Sequence, residues 1–241
     1  MGSRTHPLTG AGLTALAAIA IAGCNGDDDP FAVTARFEVT TTNLTAGQPL
    51  SPPALVLHRA DYTPFTTGMT ASQGLEVLAE GGANGDFLAE AEGSTAVLAT
   101  QSAGGPVGPG GSGTLIIKAT TRNPRTLWLS LASMLVNTND AFTGLDSVPV
   151  GELVVGDRVT LIGNSYDAGT EANTETADTV PGPAAAGGVQ EGFNAVRDDP
   201  VDDVRAHSGV VTADDGLTSS VLTGLNRWDN PTIQVTITRL R

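Results

Sequence analysis

Cysteine is almost missing from this sequence. One, Cys24, occurs in 241 residues, so no intramolecular disulfide can staple the fold. Lysine is equally scarce: Lys118 stands alone, and Lys and Arg together number 12 against 26 Asp and Glu. The formal charge of −14 and a pI near 4.3 argue against nucleic acid and heparin-like polyanions as partners, because a phosphate or sulfate backbone would be repelled. Aromatic residues make up only 4 %, so a core must be assembled from Val, Leu, Ile and Ala. With three histidines and one cysteine, no Cys/His cluster of zinc-finger type can form. Long apolar runs are also absent. The longest, Ala11 to Ala22, is interrupted by Gly12 and Thr14 and falls short of the roughly 20 residues needed to span a bilayer.

That apolar run follows Arg4 and ends in small residues, the pattern of a secretory leader. Its last four residues, Ile21-Ala22-Gly23-Cys24, resemble the lipobox of bacterial lipoproteins, which implies cleavage after residue 23 and lipidation of Cys24. Lipidation also gives the lone cysteine a role. Two or more acyl chains hold a protein stably at a membrane where one does not. Asn25-Gly26-Asp27-Asp28-Asp29-Pro30 cannot pack and reads as part of a solvated acidic tether over 24–32. Asn25, not Asp, follows the cysteine, which favours the outer over the inner membrane. The expected location is the bacterial cell envelope, lipid-anchored and extracytoplasmic.

From residue 33 onward the chain reads as one domain, 33–241, with period-two patterning. At 35–42 Phe37 and Val39 share a face opposite Arg36, Glu38 and Thr40. At 232–238 Ile233, Val235 and Ile237 alternate with Thr and Gln. Further strands are expected at 114–120 and 126–136, and shorter ones at 54–58, 95–99, 157–162 and 207–212. Leu75, Leu78 and Ala79, then Phe87, Leu88 and Ala91, fall at helical spacing, so one or two short helices are expected within 70–92, capped by Ser72 or Thr70. Many short strands with frequent turns predict an all-β fold, an antiparallel β-sandwich. The segment 173–205 is long, polar and rich in Pro, Gly and Asp, and reads as a loop at one end of the sandwich.

Several blocks, in order, resemble a bacterial spondin-type domain, related to the N-terminal spondin module of F-spondin and mindin. They are F-E-V-T-T-T-N-L-T-A-G-Q-P-L-S-P-P at 37–53, L-V-L-H-R at 55–59 and A-S-Q-G-L-E-V-L-A-E at 71–80. L-S-L-A-S-M-L-V-N-T-N-D-A-F-T-G-L at 129–145, Y-D-A-G-T-E-A-N-T-E at 166–175 and N-P-T-I-Q-V-T-I-T-R-L at 230–240 follow. The resemblance implies a sandwich related in shape to C2 domains, calcium held by loops at one end, and a binding or adhesion role without catalysis. The animal modules carry cysteines that this chain lacks, and their matrix and glycan partners do not carry over to so acidic a chain. The partner is an unidentified extracytoplasmic protein or glycan.

The resemblance assigns a calcium role to Asp167, in the oxygen-rich stretch N-S-Y-D-A-G-T-E-A-N-T-E at 164–175. Asp140 ends L-V-N-T-N-D, where a strand end would present its side chain rigidly, and is the second expected ligand. Asn139, Glu171, Asn173 and Glu175 are further candidates, since calcium takes six to eight oxygens. An EF-hand does not fit: counted from Asp167, Ala172 stands where Gly is required and Asp178 where Glu is. The competing reading of the stretch is a solvated loop without an ion. Asp198, Asp199, Asp202, Asp203, Asp214 and Asp215 read as solvated loop acids. Two alternatives remain in other classes: a surface glycan hydrolase, whose paired carboxylates the chain could supply but which the scarcity of aromatic platforms (two Trp, two Tyr) disfavours, and a structural envelope protein with no ion. A Ser-His-Asp set is disfavoured by the lack of a G-x-S-x-G elbow. His58 is expected as a structural strand-end residue, His207 as hydrogen-bonded to a neighbouring Asp, Trp128 in the core, and Trp228 as a loop anchor.

Overall fold

Phe37 and Val39 point inward from a strand whose other face is polar, and the rest of the fold follows from that alternation. The computed structural model describes residues 1–2, 30–185 and 192–241. Cys24, the leader and most of the tether therefore lie outside the described residues. Phe31–Arg241 forms one compact unit. No helix among the described residues is long and apolar enough to cross a membrane.

Strand β1 (Val33–Asn43) lies between β4 (Ser112–Thr121) and β9 (Ile233–Arg239), antiparallel to both. The first half of β7 (Arg158–Asp167) pairs with β9 and completes this sheet. The second sheet runs β3 (Val97–Ser102), β2 (Ala54–His58), β5 (Trp128–Met134), β6 (Ala141–Pro149) and the second half of β7, with β8 (Arg205–Ala206) added beside β7. Strand β7 passes from one sheet to the other near Gly163. A Cβ there would stand 2.6 Å from the Ile233 side chain and 2.8 Å from the Gly144 carbonyl, so the crossing needs a residue without one.

Between the sheets, Phe37, Val39, Ile117 and Val235 meet Leu55, Leu57, Leu129 and Leu131. Strand β2 is buried on both faces, which explains its unbroken apolar sequence: Leu55 and Leu57 face the other sheet, while Ala54 and Val56 face two helices. These are α1 (Gln73–Gly81) and α2 (Gly85–Glu92). Leu75, Leu78, Phe87 and Ala91 cover Ala54, Val56, Ala132 and Phe142 on the outer face of the second sheet. Of the two expected caps Ser72 is the one used; its Oγ accepts the Leu75 N–H at 3.2 Å. Described residues on either side of 186–191 in the stretch from Thr174 to Trp228 pack into a small core of their own, Val180, Ala185, Val210 and Leu222.

Three sequence expectations need correction. No strand forms at 207–212, because Val210 turns into the small loop core; the pairing in that region is Arg205–Ala206 with β7. Strand β6 is absent from the expected set. Its alternation breaks at Asp146-Ser147, where Ser147 takes a φ of 50° and the register against β5 shifts. Trp128 is half-buried at a strand start and is not a core residue.

Candidate functional site

The turn Asn137-Thr138-Asn139-Asp140 joins β5 to β6 and is buried throughout. Its shape is fixed locally. Thr138 Oγ1 donates to the Leu135 carbonyl at 2.6 Å and accepts the Ala141 N–H at 3.0 Å. A buried amide network holds it from outside: Gln48 Nε2 donates to the Asn137 and Asn226 carbonyls at 3.1 and 2.8 Å, and Gln48 Oε1 accepts the Asn137 N–H at 2.9 Å. Nothing in the sequence pattern singles out Gln48; only its position between a Gly and a Pro hints at a fixed turn.

Strand pairing sets Ala141 opposite Asp167, so Asp140 and Asp167 stand at the same end of the sandwich. The Ala168 N–H also donates to the Asp140 carbonyl at 3.3 Å. The Asp140 side chain is fully buried. One oxygen, Oδ2, accepts from Thr170 N (2.8 Å), Thr170 Oγ1 (3.3 Å) and Glu171 N (3.2 Å). The other, Oδ1, has no hydrogen-bond partner. Burial, reinforced by the Asp167 carboxylate, pushes the Asp140 carboxyl up to about 7.

Glu175 repeats the pattern from the loop side. It is 1 % exposed and takes a φ of 56°, a conformation that non-glycine residues adopt at a cost. Its N–H donates to Asn139 Oδ1 at 3.1 Å, its carbonyl accepts Val221 N–H at 2.9 Å, and Oε1 accepts Val211 N–H at 3.3 Å. Oε2 is buried without a partner. Burial raises the Glu175 carboxyl to about 7; the Val211 bond opposes this, and the Asp140 and Asp167 charges add to it.

Asp167 is differently placed. Its Oδ1 accepts the Gly169 N–H at 2.9 Å and faces Arg205 Nη2 at 3.0 Å, and Oδ2 accepts from Asn173 Nδ2 at 2.8 Å. Arg205 is also paired with Asp199 at 2.7 Å. Gly169, at φ +73°, turns the chain so tightly that a Cβ would stand 2.6 Å from the Asp203 nitrogen. Glu171, 6 % exposed, lies in the same loop. The structure thus brings Asn139, Asp140, Asp167, Glu171, Asn173 and Glu175 to one end. It gives them unequal roles: Asn139 and Asn173 serve as loop braces, Asp167 is bonded through both oxygens, and Asp140 and Glu175 each retain one unpartnered oxygen. Among the described residues, no group of three or more His, Cys, Asp or Glu is placed to hold a metal ion by itself.

His207, nearby, does not bond an Asp as expected. Its Nδ1 accepts the Gly209 N–H at 3.0 Å, its ring lies 5.2 Å from that of Trp228, and Nε2 is buried without a partner. Trp228 does anchor a loop, donating from Nε1 to Ser165 Oγ at 3.0 Å. The acids read as solvated are largely engaged: Asp198 accepts Ala172 N–H, Asp202 pairs with Arg197, and Asp215 pairs with Arg227. Sequence reasoning does not connect His58 with Ser130, whose Oγ lies 2.8 Å from His58 Nε2. Both are buried, at 0 and 1 % exposure, and Ser130 Oγ also accepts Ser147 N–H, so the pair ties β2, β5 and the irregular part of β6 together. No protein-family model matches this chain, and no curated protein matches it.

Proposed function

We propose that the chain is a lipid-anchored extracytoplasmic binding module, spondin-like in kind, whose loop end holds a calcium ion and whose partner is an envelope or extracellular protein or glycan. The observation that carries the ion is the pair of buried, unpartnered oxygens, Asp140 Oδ1 and Glu175 Oε2, at the end to which strand pairing brings Asp167. A buried carboxylate oxygen with no donor is costly, and such a group in a native protein calls for an unseen partner. A divalent cation would supply one and would also offset the repulsion among the three acids. Two carboxylate oxygens, with backbone or amide carbonyls and water completing the shell, suit a hard oxygen-seeking ion. Asp167, held by Arg205, would act through the field it adds unless that pair opens. The envelope location rests on the Ile21-Ala22-Gly23-Cys24 motif, and the binding role on the resemblance.

Elemental analysis of protein purified without chelator tests the ion. One calcium per chain, lost in an Asp140→Asn, Glu175→Gln double variant that still folds, is the expected result. Stoichiometric zinc or no divalent metal at all would reject it. Radiolabelled fatty acid incorporated into wild type and absent from Cys24→Ser tests the anchor separately.

A further inference from the structure

The chain is strongly acidic as a whole, yet its cations are not spread evenly. Arg197, Arg205 and Arg227 lie among the loops of the acidic end, and each is engaged in ion pairs of 2.7–3.0 Å. A second set gathers at the opposite end, where β1 begins and β9 finishes. Arg36 lies across from Lys118 in the β1–β4 register, and its N–H donates to the Arg241 carbonyl at 3.0 Å. Arg239 precedes Arg241 by two residues and stands opposite Phe37, and Arg158 opens β7 opposite Thr238. Arg36, Lys118, Arg158 and Arg241 are exposed and make no ion pair among the described residues. Arg125 reaches Glu152 only at 4.0 Å, with side-chain exposures of 77 and 74 %.

Apolar side chains protrude from the same end. The β6–β7 turn carries Val154 and Val155, 63 and 66 % exposed, beside Arg125 and Arg239 around a hollow of about 370 Å³. Leu240 and Val33 are 37 and 48 % exposed, and Leu240 borders a larger hollow of about 840 Å³ with Arg36, Lys118 and Arg241. Arg239 beside the valines donates to the Gly151 and Leu153 carbonyls at 3.2 Å, so the cations that make no ion pair among the described residues are Arg36, Lys118, Arg158 and Arg241. These cations, with aliphatic residues protruding from the same end, match the chemistry of an anionic lipid interface, where apolar groups enter the headgroup layer and arginines meet phosphate. The body also begins at this end, since Val33 opens β1.

We propose that this basic end, led by Arg36, Lys118, Arg241 and the Val154-Val155 turn, docks on anionic phospholipid headgroups and points the acidic loop end away from the membrane. The inference does not depend on the cation at the other end. Acids oppose the field: Glu38, Glu152 and Asp157 locally, and Asp27, Asp28 and Asp29 in the tether. Docking is therefore reversible on its own.

The test uses the chain from Asn25 onward, without leader or acyl groups, because all three apolar cores lie within Phe31–Arg241. Co-sedimentation is measured in chelator, which removes any contribution from a bound cation. Binding to phosphatidylglycerol vesicles, weak binding to phosphatidylcholine vesicles and release by high salt are expected. An Arg36→Gln, Lys118→Gln variant weakens binding about fivefold for each charge removed. A Val154→Ser, Val155→Ser variant weakens it with little change in salt dependence, and Arg227→Gln at the far end leaves it unchanged. Equal binding to both vesicle types, indifference to the Arg36 and Lys118 changes with an unchanged melting midpoint, or complete competition by soluble polyglutamate would overturn the proposal.

Discussion

Asp140 has one oxygen held by three donors and one that nothing reaches, and this asymmetry makes a sharp prediction. A carboxyl whose folded value is raised binds protons more tightly folded than unfolded. Stability on its account is highest below the ordinary carboxylate range and falls as pH rises towards about 7. In chelator at pH 8, Asp140→Asn should therefore melt higher than wild type, because the amide oxygen can keep the Thr170 and Glu171 bonds without the buried charge. The gap should close as pH falls below about 7. If the proposed calcium site is real, the order should reverse in calcium, since wild type alone would gain the ion. Burial lowers the values of His58 and His207, which pull stability the other way below the ordinary histidine value, while removing the Asp140 charge also relieves Glu175 and adds to the variant's gain at high pH. Urea titrations of the two proteins at several pH values, with and without calcium, measure this. Asp140 is legible in the sequence as a carboxylate just past an expected strand, and Asp167 only through the resemblance, since the strand expected at 157–162 stops short of it. The unpartnered oxygens of Asp140 and Glu175 are not, because they depend on which donors Thr170, Glu171 and Val211 bring from elsewhere.

Elements are legible wherever alternation or helical spacing is clean. Strands β1 and β9, with Phe37, Val39, Ile233, Val235 and Ile237 inward, match their expected faces. Strand β6 and the loop at 207–212 escape such reasoning because each departs from periodicity: Ser147 bulges, and Val210 packs on a small core assembled from sequence-distant loops. Three predictions belong here. Ser72→Ala removes the cap of α1 and a 2.6 Å bond to Glu90, and should cost about 1 kcal/mol, read by chemical denaturation. Phe142→Ala empties the cluster in which Phe142 lies 5.0 Å from Phe65 and 5.3 Å from Tyr166; a loss of about 3–5 kcal/mol is expected. Gly169→Ala acts on the loop instead. Its positive φ and the backbone of Asp203 leave no room for a Cβ, so the 167–175 loop must shift, and calcium affinity should fall further than global stability does.

Across the whole molecule, the fold distributes charge unevenly. Carboxylates from the β5–β6 turn and from the loop after β7 are buried together at one end, while exposed cations that make no ion pair among the described residues, Arg36, Lys118, Arg158 and Arg241, and the protruding Val154 and Val155 gather at the other. The composition conceals this division, since a net charge of −14 says nothing about where the positive residues lie. With no disulfide available, a bound ion would clamp loops that the two sheets leave apart. Thermal melting of the chain from Asn25 onward, in calcium and in chelator, with Asp140→Asn alongside, tests that clamp most directly. Calcium at about a hundredfold excess over its dissociation constant should add roughly 2.7 kcal/mol, a rise of about 5–10 °C for wild type and little for the variant. Coincident melting curves for wild type with and without calcium would contradict the account.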